Sequence, residues 1–257
     1  MIPAVLKLYT PISLVALKKR ANLMRRTDNK YVLNRLQLSQ FMQAQQVNYE
    51  ALLIKGVNQF NYSSAYLDSV CFDTFLDHNK NRRRRFKLRF RHYHESNLYF
   101  FEIKIKGFRN ETHKYRIATD QSSYHAHYLP KELVDFANSK IQLHYGFILD
   151  YAPIKSLQVD YSRITLVAKT GAERITIDNN IKFIKDGQLQ AGLDPEYFIL
   201  EVKSTQGRSQ ADQWLRHHQH RALQQCSKYS MGINIVQFPH KNTRFRPVLR
   251  HLFGFDL

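Results

Sequence analysis

Basic residues recur at every second position in several strand-like segments of this chain. The clearest segment reads Arg85-Phe86-Lys87-Leu88-Arg89-Phe90-Arg91. Because successive side chains of a strand point to opposite faces, its four cations share one face and its three apolar residues share the other. Unpaired buried charge is very costly, so a sheet that encloses such a face must hold a polyanion.

Other segments repeat the alternation. In the segment 101–106, Phe101, Ile103 and Ile105 oppose Glu102, Lys104 and Lys106. Shorter examples are 163–166, 174–178 and 199–203, and a weaker one is 114–117. The alternative is an ordinary antiparallel sheet with one face in water. Solvent faces usually mix both signs of charge, whereas cations dominate here, and this favours a sheet curled around a charged interior.

The bulk composition points to an anionic partner. The chain has 257 residues, is 43% hydrophobic and carries a formal net charge of +18. This charge predicts binding to nucleic acid, an acidic membrane or a phosphate-rich small molecule. The two cysteines, Cys71 and Cys226, are far apart and favour a reduced, cytoplasmic protein. No apolar run is long enough for a membrane segment, and no linker divides the chain, so we expect one domain over 1–257.

The elements that must position these residues are mostly strands. Patterning predicts helices near 13–24, 36–46, 131–143 and 209–225. It predicts strands near 31–33, 66–74, 85–93, 98–106, 157–168, 174–178 and 197–203, and a basic stub at 227–229. The sum is an α+β fold with mainly antiparallel strands.

Eight short motifs occur in an order that resembles a known family. They are Arg26-Thr27-Asp28-Asn29-Lys30-Tyr31, Cys71-Phe72-Asp73-Thr74, Lys87-Leu88-Arg89-Phe90-Arg91-His92-Tyr93, Phe101-Glu102-Ile103-Lys104, Tyr161-Ser162-Arg163, Arg174-Ile175-Thr176-Ile177-Asp178, Leu200-Glu201-Val202-Lys203 and Cys226-Ser227-Lys228-Tyr229. Over about 12–232 the chain is similar to the VTC domain, the polyphosphate-polymerase branch of the triphosphate tunnel metalloenzymes.

The resemblance implies a closed antiparallel β-barrel around a basic tunnel, with flanking helices. There, the terminal phosphate of ATP extends a polyphosphate chain with the help of a divalent metal, manganese or magnesium. The implied catalytic cations are Arg89, Arg91, Arg163, Arg174 and Lys104. The implied phosphate-binding residues are Lys30, Lys114 and Lys228, to which the alternation adds Lys87, and the implied metal ligand is Glu201. Expected partners are ATP and inorganic polyphosphate or triphosphate.

The residue types suit this chemistry. Phosphoryl transfer requires alignment and neutralisation of charge on the phosphoryl oxygens. Arginine grips phosphate with two parallel hydrogen bonds, and lysine acts as a point charge. Other roles stay open for the acids: Glu201 as a partner of Lys203 or of an arginine, and Glu102 and Asp178 as groups that orient cations.

One departure from the family pattern bears on the reaction. Hydrolytic relatives begin with Glu-x-Glu-x-Lys, but here Arg26 and Asp28 stand at the acidic positions before Lys30. This favours the polymerase-like branch over a hydrolase. Asp28 is either a second metal contact or a partner of Arg26.

Three other functions compete with polymerisation. They are a sensor that only binds polyphosphate, a triphosphate hydrolase and a nucleic-acid-binding protein. We expect no nucleic acid, because Phe86, Phe90 and Tyr93 are expected opposite the cations, whereas a stacking platform needs both on one face. Within the basic run Arg82–Arg85, Arg82 and Arg84 are expected at the rim or outside. His217, His218 and His220 are expected on an exposed helix face.

Overall fold

The structure is a computed structural model that describes residues 2–20, 27–108, 111–126, 128–205, 207–223, 226–237 and 252. The fold is mixed α+β, with a large, mostly antiparallel sheet and flanking helices. The chain forms two compact units. Unit 1 comprises Met1–Phe60, Tyr161–Ile181 and Leu193–Cys226, and unit 2 comprises Asn61–Asp160, Lys182–Gly192 and Ser227–Leu257.

Eleven strands and eight helices occur in the described residues. The helices are α1 (Ile2–Leu6), α2 (Leu14–Arg20), α3 (Arg35–Gln45), α4 (Asp73–Asn79), α5 (Gln121–His125), α6 (Lys131–Tyr145), α7 (Gln210–His217) and α8 (Lys228–Val236). The strands are β1 (Thr10–Ile12), β2 (Thr27–Asn34), β3 (Tyr49–Leu52), β4 (Gln59–Asp68), β5 (Phe86–Tyr93), β6 (Leu98–Lys106), β7 (Thr112–Thr119), β8 (Ile154–Ala168), β9 (Arg174–Lys185), β10 (Gln188–Gly192) and β11 (Tyr197–Ser204).

Unit 1 is a sheet covered on one face by helices. Strand β11 lies between β2 and β9, antiparallel to both. Tyr31, Leu200 and Ile175 point to the same buried face and pack in one core with Leu38 and Phe41. Helix α3 begins with a capping box, in which the Asn34 side chain accepts from the Gln37 backbone and the Gln37 side chain accepts from the Asn34 backbone. The opposite face therefore carries the polar half of each strand.

Unit 2 is built on the antiparallel meander β4–β5–β6–β7. The apolar face of β5 and β6 packs in one core with the buried residues of α6, including Leu133, Ala137 and Ile141. The turn between β5 and β6 closes at Asn97, whose φ of 47° is tolerated by asparagine. The predicted hairpin 85–93 and 98–106 is therefore confirmed, and one face of it is apolar as the alternation required.

The prediction of a closed barrel is wrong. Among the described strands, β2 pairs only with β11, and β7 pairs only with β6. Closure requires the outer hydrogen-bonding groups of both edge strands to find partners. Instead, β7 is mostly exposed and carries Lys114 and Arg116, which is typical of an edge strand that stays in water.

Three predicted elements also differ from the structure. Strand β4 ends at Asp68, and 73–79 is helical, because the Asp68 carboxylate accepts hydrogen bonds from the backbone N–H groups of Thr74 and Phe75. The predicted helix 209–225 ends at His217, where the chain turns into left-handed Gln219. The predicted basic stub 227–229 starts helix α8 behind the N-cap Ser227.

Candidate functional site

In unit 2, one buried carboxylate gathers three cations. Glu102 on β6 is 2% exposed. Arg89 donates to its Oε2 from Nε at 2.8 Å and from Nη2 at 2.6 Å. Lys114 Nζ lies 2.5 Å from Oε1, and Arg91 Nη1 lies 3.8 Å from Oε2. Burial would raise the pKa of Glu102, but the charges of Arg89, Arg91 and Lys114 hold it far below its usual range.

The register of the strands explains this cluster. Arg89 lies directly opposite Glu102 in the β5–β6 pair, and Lys114 of β7 lies two residues along from Glu102's partner Arg116. Two further contacts orient the arginines: Arg89 Nη1 donates to the Tyr66 hydroxyl at 3.3 Å and Arg91 Nε to Ser64 Oγ at 3.4 Å. The guanidinium groups are therefore held in place before any ligand binds.

Aromatic rings share the cation face, which corrects one prediction. Phe86 and Phe90 are buried on the opposite face, as predicted. Tyr93, however, is two residues from Arg91 and lies on the same face, edge-on to Tyr62 with ring centroids 5.1 Å apart. Phe86 and Phe90 therefore lie on the wrong face to stack on a ligand at the cations, whereas Tyr93 lies on the same face as the cations.

In unit 1, a second carboxylate lies between two lysines. Glu201 Oε1 is 3.1 Å from Lys30 Nζ, and Oε2 accepts a short hydrogen bond from Lys203 Nζ. Burial would raise the pKa of Glu201, but Lys203 and Lys30 hold it well below its usual range. Desolvation lowers the pKa of Lys203 to about 8, although Glu201 and Asp28 oppose this. The three side chains form a partly enclosed ion-pair group.

A bidentate pair completes the polar face of unit 1. Arg163 on β8 donates from Nε and Nη2 to the two oxygens of buried Asp178, at 2.6 and 2.8 Å. Arg174, two residues along β9 from Thr176, pairs in register with Lys203. The predicted residues Lys30, Arg163, Arg174 and Glu201 therefore occupy one face of one sheet.

The remaining predicted lysines belong to unit 2. Lys87 Nζ donates to Ser227 Oγ at 2.8 Å and lies 5.6 Å from the centroid of the Tyr229 ring. Lys104 is exposed and lies in register between Lys87 and Lys114. Lys228 is the first residue of α8. Lys87, Arg89, Arg91, Lys104 and Lys114 thus lie on one face of the meander.

Sequence reasoning missed two contributors. Lys203 was considered only as a partner of Glu201, although it shares that residue's face of β11 and is itself a cation of the cluster. Ser227, which holds Lys87, carried no signal, because its role depends on where α8 begins. Arg26 lies outside the described residues. Asp28 lies opposite Lys203 in the β2–β11 register.

The described residues do not form a ligand set for a resident divalent metal. They contain no group of three or more His, Cys, Asp or Glu side chains positioned to hold one. Both Glu201 oxygens are engaged by lysines. Magnesium and manganese prefer several oxygen ligands. Of the histidines that the sequence analysis singled out near the end of α7, His218 packs its ring on Trp214, with ring centroids 3.7 Å apart.

Several solved structures are similar to this chain at low sequence identity. A putative adenylyl cyclase from Hippeastrum, described as having a dominant triphosphatase activity, is 10% identical, with 81% of this chain and 95% of that chain covered and a TM-score of 0.48. A Pyrococcus horikoshii protein is 13% identical, with coverage of 81% and 96% and a TM-score of 0.45. A putative adenylate cyclase from Vibrio parahaemolyticus is 13% identical, with coverage of 76% and 84% and a TM-score of 0.37.

Sequence comparison is more specific. No curated protein sequence matches the chain. No helix in the described part of the chain is long and apolar enough to cross a membrane. The VTC domain family matches residues 25–237, which include both carboxylate clusters. The chain therefore belongs to the VTC domain family.

Proposed function

We propose that this protein is a polyphosphate polymerase-like phosphotransferase, which moves the terminal phosphate of ATP onto a growing polyphosphate chain. One observation carries the proposal: on each of the two polar sheet faces, two or more cations gather around one carboxylate, Glu102 in unit 2 and Glu201 in unit 1. Cations that gather in this way around one carboxylate create a positive local potential. Such a potential favours the binding of an anion that carries more charge than a carboxylate.

The proposed chemistry is an in-line transfer. A terminal oxygen of the polyphosphate acceptor bonds to the terminal phosphorus of ATP, and the bond from that phosphorus to the bridging oxygen breaks, so that ADP leaves. The arginines proposed to neutralise and align phosphoryl oxygens are Arg89 and Arg91 in unit 2, with Lys104 as a further cation, and Arg163 and Arg174 in unit 1. Lys30, Lys87, Lys114 and Lys228 bind the neighbouring phosphates. Contacts that hold the arginines, such as those from Tyr66 and Ser64, reduce the cost of ordering them.

In this proposal, the divalent metal ion binds only together with the substrate. Glu201 is the predicted protein ligand, but it faces Lys30 and Lys203, so a manganese or magnesium ion has to be carried largely by phosphate oxygens and water. The contacts of Glu201 with Lys30 and Lys203 also favour a second candidate function, a protein that binds triphosphate or polyphosphate without turnover. Hydrolysis is a weaker alternative because of the altered amino-terminal motif around Asp28.

Incubation with ATP and manganese, followed by gel detection of long-chain polyphosphate, tests the proposal. The expected result is polyphosphate with an equivalent release of ADP, and its loss in Arg163→Ala. Tight binding of tripolyphosphate with no product of either kind would support the sensor instead. Release of inorganic phosphate without chain growth would support a hydrolase. The charge-matched control is Arg35→Ala, at an exposed pair with Glu196 in the same unit.

A further inference from the structure

A cationic pocket lies where β5 begins and β6 ends, outside the residues assigned above to phosphate binding. Its volume is 370 Å³, within the range of small-ligand sites. It is lined by Asn81, Arg83, Arg85, Lys106, Gly107 and Phe108. All of these residues belong to unit 2.

Tyr145, at the end of α6, holds together the two strand ends that line this pocket. The Tyr145 hydroxyl accepts from the Arg85 backbone N–H at 2.9 Å and lies 2.8 and 2.7 Å from the carbonyl oxygens of Arg85 and Lys106. The Tyr145 ring also meets Phe108 edge-on, with centroids 6.3 Å apart. The two strand ends and the aromatic wall are thus held together by one side chain.

The charge around the pocket is strongly positive. Arg84 lies 5.9 Å from the centroid of the Phe108 ring, and Arg85 Nη1 donates to the Arg82 carbonyl at 2.5 Å. Two acids lie nearby. Asp77 pairs with Arg82 at 3.2 Å, and Glu111 covers Gly107 so closely that a Cβ there would be 2.0 Å from Glu111 Oε1. Arg83, Arg84, Arg85 and Lys106 outnumber these acids.

The pocket continues the cation face of the meander. Arg85, Lys87 and Arg89 occupy every second position along one segment. On the paired strand β6, Lys106, Lys104 and Glu102 also occupy every second position. Two residues of a strand advance by about 6.6 Å, so the distance along the strand from Arg89 to Arg85 is about 13 Å. This is more than three linked phosphates cover, whereas a longer chain reaches both ends.

We propose that this pocket is a distal subsite for linear polyphosphate, which binds the part of the chain beyond the phosphates held at Arg89 and Arg91. The ligand class follows from the lining: cations in series, without an acid in the row from Lys87 and Lys104 to the pocket, suit a chain that carries charge at every unit. The inference rests on the proposed phosphate binding at the Glu102 cluster, and it adds a preference for chain length.

Calorimetric titration of the full chain with tripolyphosphate and with long-chain polyphosphate, at fixed ionic strength, tests the subsite. In Arg83→Ala/Arg85→Ala, the affinity for the long chain should fall by about tenfold or more, as expected for losing charged hydrogen bonds. The affinity for tripolyphosphate should stay within about twofold. The control, Lys131→Ala/Lys182→Ala, removes the same charge from exposed sites of unit 2 and should change neither affinity. Melting curves verify that each variant is folded.

The outcomes separate the subsite from the proposed function. Equal loss of both ligands in the pocket variant, or equal loss in the control, would overturn the subsite in favour of one short site or of general attraction. If single-stranded RNA binds the wild type more tightly than long-chain polyphosphate does, and if its affinity falls more in the pocket variant, the pocket is a nucleic-acid site. Wild-type protein that does not bind tripolyphosphate, yet binds the long chain through Arg83 and Arg85, would contradict phosphate binding at the Glu102 cluster and would leave the pocket as a polyphosphate site that acts without it.

Discussion

At the scale of residues, the arginines beside Glu102 are more enclosed than the surface residue Arg82. Arg91 is 7% exposed, and both Arg89 and Arg91 are held by neighbouring hydroxyl groups. Arg82, in contrast, has a side chain that is 61% exposed and pairs with Asp77 on the surface. The predicted position of Arg82 on the outside is therefore confirmed.

The first prediction concerns Arg89→Ala. Loss of one charged hydrogen-bonding partner should weaken tripolyphosphate binding by about 1.5–3 kcal/mol, or roughly 10- to 150-fold. Isothermal titration calorimetry measures the change. Arg82→Ala is the control and should lose much less, since exposed ion pairs contribute little. Similar losses in the two variants would remove Arg89 from the site.

The second prediction concerns Glu201→Gln. Removal of this charge leaves Lys203, whose side chain is 8% exposed, without its closest partner, and stability should fall by about 3 kcal/mol. Affinity for tripolyphosphate should rise, because Lys30 and Lys203 lose their internal anion. Chemical denaturation and calorimetry measure the two effects. Glu196→Gln, at an exposed pair with Arg35, should change stability by less than about 1 kcal/mol. Weaker binding in Glu201→Gln would instead support Glu201 as a direct ligand of the substrate complex.

The third prediction concerns the pH dependence of binding. The Lys114 side chain is 41% exposed, but its ammonium group lies against buried Glu102. Desolvation at that position and the charges of Arg89 and Arg91 lower the pKa of Lys114 to about 7, against the influence of Glu102. The contribution of Lys114 to phosphate binding is therefore present below about pH 7 and is lost as pH rises through that value. A bound polyanion favours the protonated form, so binding near pH 7.5 should take up protons.

Calorimetry in buffers of different ionisation enthalpy measures this uptake. Lys114→Arg keeps the charge at all relevant pH values and should take up measurably fewer protons. The comparison with the wild type isolates Lys114 from the ionisation of the phosphate and from Lys203. Identical uptake by both proteins would show that Lys114 does not titrate in this range.

At the scale of elements, α8 is anchored to β4 by a buried hydrogen bond and by the stacking of Tyr229 on Tyr66. The Tyr229 hydroxyl donates a short hydrogen bond to Asp68, whose carboxylate also accepts from the backbone N–H groups of Ser69, Thr74 and Phe75. Gly232 in the same helix packs so tightly that a Cβ would lie 2.4 Å from Leu157 and 2.7 Å from Phe183. The start of α8, with Ser227 and Lys228, is thereby set against Lys87.

The fourth prediction follows from this anchor. Tyr229→Phe deprives buried Asp68 of one donor and should cost about 1–3 kcal/mol of stability, while the ring beneath Lys87 remains. Phosphate affinity should therefore change little while the melting temperature falls. Tyr128→Phe, at a side chain that is 72% exposed, is the control and should leave the melting temperature almost unchanged. A large loss of affinity in Tyr229→Phe would mean that the hydroxyl also positions the phosphate-binding cations.

At the scale of the whole molecule, the net charge of +18 makes the folded chain sensitive to anions. A polyanion that binds only the folded state should add about 2.7 kcal/mol of stability at roughly 100 times its dissociation constant. The fifth prediction is that tripolyphosphate raises the melting temperature far more than sulfate at matched ionic strength. Melting curves decide this, and an equal shift from single-stranded RNA would contradict selectivity for polyphosphate.

The sequence by itself determined which residues share a face. Alternation has a period of two and depends only on the backbone, so Arg89 and Arg91 were separated from Phe86 and Phe90 before any partner strand was known. The same rule placed Glu201 with Lys203. The VTC motifs then predicted the family that the match over residues 25–237 confirms. That residues 1–257 form a single domain stays a prediction.

Only the tertiary structure decided which charges meet. Glu102 collects Arg89 and Lys114 because three strands pair in one register, and register depends on contacts between segments far apart in sequence. The predicted strand 66–74 stops at Asp68 and a helix follows at 73–79, because Asp68 accepts hydrogen bonds from the first backbone N–H groups of that helix. The open edges at β2 and β7 replaced a predicted closed barrel, because closure depends on whether two distant edges pair, which no local pattern encodes.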